Sequence, residues 1–250
     1  VTEIVLHVYC QGCPVGVYSR FYVYEEDGTL KPGWPIDLPT SPEMPYPIQN
    51  PVIANVDGGT DLELIFVTTS GGSVCGSNAA AIHIYKHTGQ LVNGWPKILP
   101  CRANYSPAVG DIDGNGDMEI VVSTQPATSG QIGNVYAYHD NGNVVNGWPQ
   151  SIAEAGPVAL ADVDTNDNGK LEIISVRRDL TNHKPWVHVV NHDGSAVPGW
   201  PVQLPTTQFY STFLDYAAGD VDNNDNGKLE IVARTGESLF LLNHDGSAVP

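Results

Sequence analysis

A short carboxylate-rich phrase recurs along this chain of 250 residues, and its period limits the folds available more than any other feature. The clearest copy reads Asp111-Ile-Asp113-Gly-Asn115-Gly116-Asp117-Met-Glu119. Two longer copies run from Asp162 to Glu172 and from Asp220 to Glu230, and a degraded one runs from Asn55 to Glu63. Val1-Thr2-Glu3-Ile4-Val5 looks like the tail of a fifth. The closing glutamates, at 3, 63, 119, 172 and 230, are spaced by 60, 56, 53 and 58 residues. A second marker, Gly-Trp-Pro, places Trp34, Trp95, Trp148 and Trp200 at intervals of 61, 53 and 52. Self-similarity at such a period signals a propeller, a solenoid or an array.

Each period reads alike. A short apolar stretch enters the acidic loop and a β-branched run leaves it. An alternating strand follows (Ile82 to Tyr85, Val135 to Tyr138, Val187 to Val190), then a Gly turn and the strand bearing Gly-Trp-Pro. Short β-rich runs between Gly, Pro, Asn and Asp clusters are strand and hairpin signals. Four antiparallel strands in about 55 residues make a propeller blade, since a lone sheet of that size would leave one face wet. The expected fold is therefore all-β, a β-propeller of four-stranded blades over 1–250. Its repeats run about 1–50, 51–106, 107–156, 157–214 and 215–250, the first and last incomplete. A string of separate small β-domains is the rival arrangement. The chain opens and closes in mid-repeat and is read as part of a longer polypeptide, its ring closed by further sequence or by self-association through the incomplete end blades.

Alternation of strand direction puts the acidic loops and the Gly turns at one end of each blade. The variable loops 10–19, 70–80, 125–133 and 177–186 lie at the other. Cys10, Cys13, Cys75 and Cys101 fall at that second end and could pair as Cys75–Cys101 and Cys10–Cys13, although spacing alone does not fix connectivity.

A net charge of −17, from 28 acidic and 11 basic residues, argues against nucleic-acid binding. No apolar run is long enough for a membrane span. Oxygen side chains at alternate loop positions, a glycine for the tight turn and a closing Glu suit Ca²⁺, which takes about 6–8 oxygens. Weak multi-site loops of this kind fit millimolar extracellular calcium, so the expected location is extracellular or cell-surface.

These loops resemble the FG-GAP/VCBS repeat family, the calcium-loop repeats of integrin α-subunit propellers and of many secreted proteins. The resemblance implies ligands at Asp111, Asp113, Asn115, the carbonyl of Asp117, and Glu119. In the longer loops it implies Asp162, Asp164, Asn168, the carbonyl of Lys170 and Glu172, and likewise Asp220, Asp222, Asn226, the carbonyl of Lys228 and Glu230. The two extra residues of each long loop leave Asn166 or Asp167, and Asn224 or Asp225, as alternatives at the fifth position. Asn55, Asp57, Asp61 and Glu63 are the weak candidates, because Gly59 stands where a ligand is wanted. The expectation is about three calcium sites, with a fourth only if the degraded loop binds.

The Trp of each Gly-Trp-Pro is read as blade packing. Trp186, outside that pattern, is the one aromatic with some claim to a ligand. His87, His139, His192 and His244 are read as surface turn residues. No nucleophile elbow, phosphate loop or metalloprotease helix is present. The segment is thus expected to be a non-catalytic module for adhesion, ligand binding or assembly, contacting a protein or glycan on the face opposite the calcium loops. The alternatives are a lectin, or the propeller part of a secreted polysaccharide lyase or peptidase.

Overall fold

The computed structural model describes residues 3–9, 17–39, 46–69, 74–126, 132–153, 156–164, 168–178, 184–205, 214–221, 228–235 and 238–249. Among them every regular element is a β-strand, and all strand pairs are antiparallel. The chain forms two compact units, Val1–Ser106 and Pro107–Pro250.

The first unit holds two sheets. β1 (Ile4–Tyr9), β2 (Val17–Tyr24) and β3 (Ile36–Pro39) make a three-stranded sheet in chain order. β4 (Tyr46–Ala54), β5 (Glu63–Thr69), β6 (Cys75–Tyr85) and β7 (Lys97–Cys101) make a four-stranded one. The second unit holds three. β8 (Ala108–Gly110), β9 (Glu119–Ser123), β10 (Gly133–Tyr138) and β11 (Gln150–Ala153) form one sheet of four. β12 (Ala159–Ala161), β13 (Glu172–Arg178), β14 (Pro185–Val190) and β15 (Val202–Gln203) form another. β16 (Leu214–Gly219), β17 (Glu230–Thr235) and β18 (Ser238–Leu242) complete the set. The acidic loops 55–63, 111–119 and 162–172 each join the first and second strands of a four-stranded sheet, and the loop 220–230 joins the first two of the sheet β16–β18, in the order the repeat pattern predicts.

Strand alternation explains why no sheet stands alone. Ile173 and Ile174 are adjacent in β13 and both fully buried, but on opposite faces. Ile173 joins a core with Ile112, Val121, Val135 and Trp148 of the preceding sheet. Ile174 joins a second core with Val176, Trp200, Ile231 and Leu242, shared with the following sheet. In the first unit, Phe21 and Trp34 of one sheet pack with Leu64 and Phe66 of the next, the Phe21 and Phe66 rings 4.4 Å apart. Burial on both faces makes the middle strands nearly continuous apolar runs: β5 and β9 are buried at every position.

The Gly-Trp-Pro strand is the inter-sheet fastener. Trp148 donates its indole N–H to the carbonyl of His192 in the next sheet at 2.7 Å. Trp200 does the same to His244 at 2.9 Å, and Trp34 to His87 at 2.8 Å. The glycine before each Trp has a structural reason. Gly147 and Gly199 sit at φ +89, and a Cβ there would run into the carbonyl oxygens of Asp193 and Asp245. Each of the four Trp-Pro bonds is cis. Packing, rather than ligand contact, is what these four tryptophans do, and all are at most 7 % exposed.

At the other end of the second sheet, Cys75 and Cys101 are cross-strand partners and form a disulfide. Cys10 and Cys13 lie outside the described residues.

Candidate metal loops

Every acidic loop is built on its closing glutamate. Glu63, Glu119, Glu172 and Glu230 are at most 2 % exposed, although each begins a strand at the rim of its sheet. One carboxylate oxygen turns back into the loop and accepts backbone N–H groups. Glu119 Oε2 takes the N–H of Ile112 at 2.9 Å, and Glu63 Oε2 takes that of Val56 at 2.8 Å. Glu172 Oε2 accepts from Val163 at 2.7 Å and Asp164 at 3.2 Å. Glu230 Oε2 accepts from Val221 at 2.9 Å. The apolar residue after the first loop position plugs the core beneath, with Ile112 and Val163 fully buried. The Glu therefore ties the loop to the strand through one oxygen, leaving only the other to face an ion.

In the loop 111–119, the chain wraps around Asp111. Its Oδ1 accepts from Gly114 at 2.8 Å and Asn115 at 3.1 Å, and its Oδ2 from Gly116 at 2.9 Å. Asn115 Oδ1 accepts the N–H of Asp117 at 2.6 Å. Asp113, Glu119 and His139 each bring one ligand-capable atom within 4.8 Å of the others. His139 Nδ1 lies 3.1 Å from Glu119 Oε1. Burial pushes the Glu119 carboxyl above the usual range, partly offset by the hydrogen bonds from His139 and Ile112.

The loop 162–172 is described on both sides of residues 165–167. Asn168 Oδ1 accepts the N–H of Lys170 at 2.8 Å, the bond that Asn115 makes to Asp117. This places Asn168 as the counterpart of Asn115; Asn166 and Asp167 lie outside the described residues. Asp162, Asp164 and Glu172 bring carboxylate oxygens within 4.8 Å of one another. Glu172 Oε1 is buried and has no hydrogen-bond partner. Burial raises the Glu172 pKa, and the charges of Asp164 and Asp162 raise it further. A buried carboxylate oxygen without a partner, facing two further carboxylates, is the arrangement a hard divalent cation relieves. The two loops are neighbours: the N–H of Leu171 donates to the carbonyl of Ile112 at 3.1 Å. Of the third loop, Asp220 and Glu230 are described, whereas Asp222 and Asn226 lie outside the described residues.

The degraded loop 55–63 carries its own cation. Lys86 Nζ lies 2.6 Å from Asp57 Oδ2, and the hydrogen bond from that ammonium holds the Asp57 carboxyl below the usual range. Asn55 Nδ2 donates to the carbonyl of Gly59 at 2.6 Å, closing the loop from within. His87 Nδ1 is 3.5 Å from Asp61.

The histidines are not equivalent. Counted from the turn glycine, His87, His192 and His244 share one position and His139 stands one residue earlier, aligned with Lys86, Asn191 and Asn243. The shared position supplies the carbonyl for the Trp indole. The rings of His192 and His244 meet Lys170 Nζ at 3.1 Å and Lys228 Nζ at 3.0 Å. From the earlier position Lys86 and His139 reach the acidic loop, and for His139 the sequence reading of all four histidines as turn surface missed this. Aligning the turns on their glycines would have shown it.

Residues 103–138 match the FG-GAP repeat family. They include the loop 111–119 and the strands on either side of it. No curated protein matches the chain. Among solved structures, it is similar to the C-terminal domain of PilY1 from Pseudomonas aeruginosa, at 14 % identity and TM-score 0.48, over 73 % of this chain and 38 % of that one. It is also similar to the biofilm matrix protein Bap1 of V. cholerae, at 18 % identity and TM-score 0.42, over 82 % of this chain and 39 % of that one. This chain thus spans less than half the length of either. No helix among the described residues is long and apolar enough to cross a membrane.

Proposed function

We infer that this chain is a calcium-stabilised module of the β-propeller type, working outside the cell as a non-catalytic scaffold for adhesion, ligand binding or assembly. The observation that carries the reading is the buried, partnerless Glu172 Oε1 facing Asp162 and Asp164. Asp162, Asp164, Asn168 and Glu172 would hold one ion. Asp111, Asp113, Asn115 and Glu119 would hold a second, and the loop from Asp220 to Glu230 a third. The match of residues 103–138 to the FG-GAP repeat supports calcium as that ion, and the all-oxygen donor set of the 162–172 loop agrees. Calcium supplies charge neutralisation here; the protein supplies a loop fastened to its own strand through the closing glutamate.

The sheets support a propeller reading because consecutive ones share cores and are joined by the same Trp-to-carbonyl bond within each unit. Acidic loop and Gly turn meet at one end of the sheets β4–β7 and β8–β11, as the bonds from Lys86 to Asp57 and His139 to Glu119 require. The opposite end, which carries the disulfide and connections whose length varies from repeat to repeat, is the surface assigned to partner contact, because loops on a rigid scaffold carry function.

Thermal unfolding with calcium and with chelator tests the reading. An ion bound only to the folded state stabilises by about 2.7 kcal/mol at a hundredfold excess over its Kd. The melting temperature is expected to fall on chelation, to recover with calcium, and to respond far less to magnesium. Indifference to calcium would overturn the metal assignment.

A further inference from the structure

The sheet β12–β15 carries two buried nitrogen atoms without a hydrogen-bond partner among the described residues. His188 is 7 % exposed, and its Nε2 has no hydrogen-bond partner. The Nε of Arg177 is likewise buried without one. Register places them together: Ser175 is opposite His188, and Arg177 is opposite Trp186, which in turn is opposite Gln203. Ser175, Arg177, Trp186 and His188 therefore share one face. It is the face that turns towards the preceding sheet, because Ser175 Oγ donates to the carbonyl of Ile152 at 2.7 Å. These side chains thus lie where two sheets of the second unit face each other, at the end away from the acidic loops. His188 is buried, and Arg177 and Trp186 stand half-buried one rung further out. Arg177, Arg178 and Lys184 fall within eight positions, a local concentration in a chain with only 11 basic residues, with Asp179 as the single acid among them.

Leaving a guanidinium nitrogen and an imidazole nitrogen buried without partners is costly unless something outside the chain completes them. A guanidinium favours a carboxylate, which accepts its N–H groups in parallel. The imidazole beside it is kept neutral by burial and by the Arg177 charge, with its pKa lowered to about 4, so it can exchange a hydrogen bond with a hydroxyl at neutral pH. An indole at the mouth offers a flat apolar face. Carboxylate, hydroxyls and an apolar ring face occur together in an acidic sugar.

We propose that Arg177, Trp186 and His188 form a crevice between these two sheets that binds a carboxylate-bearing sugar residue. It deepens, and rests on, the assignment of that end of the sheets as the contact surface. The carboxylate meets Arg177, a ring hydroxyl meets His188, and the sugar ring lies against Trp186.

Of the five tryptophans, four lie in buried Gly-Trp-Pro positions, so the indole N–H signal of Trp186 in a proton–nitrogen correlation spectrum reports on this crevice alone. Its assignment follows from the peak missing in Trp186→Phe. Glucuronate, titrated into the full chain at constant calcium, should move that peak saturably and leave the other four unmoved. Glucose and acetate, each carrying half of the chemistry, should bind at least about tenfold more weakly. Arg177→Met should abolish the shift while unfolding as cooperatively as the parent, since it removes the unpartnered Nε with the charge. An unmoved Trp186 signal, equal shifts with acetate or glucose, or an unchanged titration in Arg177→Met would each overturn the proposal. The calcium reading fails separately, on the melting experiment, and a glucuronate response without calcium stabilisation would leave this site standing.

Discussion

Position 86 and its counterparts at 139, 191 and 243 govern how each acidic loop is neutralised. At 86 a lysine reaches Asp57. At 139 a histidine reaches Glu119. At 191 an asparagine turns instead to Ser195 Oγ at 2.9 Å, and Glu172 Oε1 is left alone. The loops thus form a graded series, from one that carries an internal cation to one whose closing glutamate keeps an oxygen without a partner. Lys86→Gln is expected to lower the denaturation midpoint slightly, and calcium should not restore it, because Asn55 and Gly59 supply too few ligands. Chemical denaturation of the variant with and without calcium checks this. A second residue-scale prediction concerns acid. His188 has a folded pKa of about 4 against an ordinary 6.5, so its neutral form is favoured in the fold. That contribution is complete above pH 6.5 and is lost as pH falls from 6.5 towards 4, to a limit of about 3 kcal/mol. His188→Gln should flatten the stability profile over that interval, measured by denaturant unfolding at fixed calcium.

At the scale of the element, the loop and its two strands act as one part. Glu172→Gln keeps an acceptor for the Val163 and Asp164 N–H groups but removes the charge. With calcium present it should lower the melting temperature. With chelator present it should match or exceed the parent, since burial and its acidic neighbours already disfavour the ionised Glu172. A loss of equal size in both conditions would show that Glu172 only braces the loop. The Gly-Trp-Pro strand permits a second test at this scale. Gly199→Ala places a Cβ at positive φ against the Asp245 carbonyl and should cost about 1–3 kcal/mol, read from the unfolding midpoint. Much of this element was legible beforehand. Periodic carboxylates, the turn Gly and alternating apolar residues located the loops and most strands, because each states a local geometric need. The reason for the Gly before Trp was hidden, since it lies in the backbone of the next repeat, some 46 residues away in sequence (Gly147 to Asp193, Gly199 to Asp245). The region 177–186 also read as loop, for its charge and its Pro. In the structure Arg177 and Trp186 are paired strand residues, held by the hairpin register rather than by composition.

Across the whole molecule, the neutralising devices are distributed unevenly. The first unit, Val1–Ser106, holds the lysine-neutralised loop and the Cys75–Cys101 disulfide. The second, Pro107–Pro250, holds the loops at 111–119, 162–172 and 220–230, with the partnerless Glu172 oxygen among them. One unit is fastened by covalent and internal ionic means, whereas on the calcium reading proposed above the other would rely on bound ions. Calcium removal should therefore act on them differently even though their sheets are built alike. Amide hydrogen exchange on the intact chain distinguishes the two responses, because local opening reports the stability of each region separately. Chelation should accelerate exchange in β9, β13 and β17, whose first residues are the closing glutamates 119, 172 and 230. The amides of β5, which begins at Glu63, should keep their protection under the same treatment. Reduction of the disulfide should reverse the pattern, loosening β6 and β7 while leaving the second unit unchanged. Equal acceleration of β5 and β13 on chelation would mean that Lys86 does not replace an ion and that the degraded loop binds calcium after all.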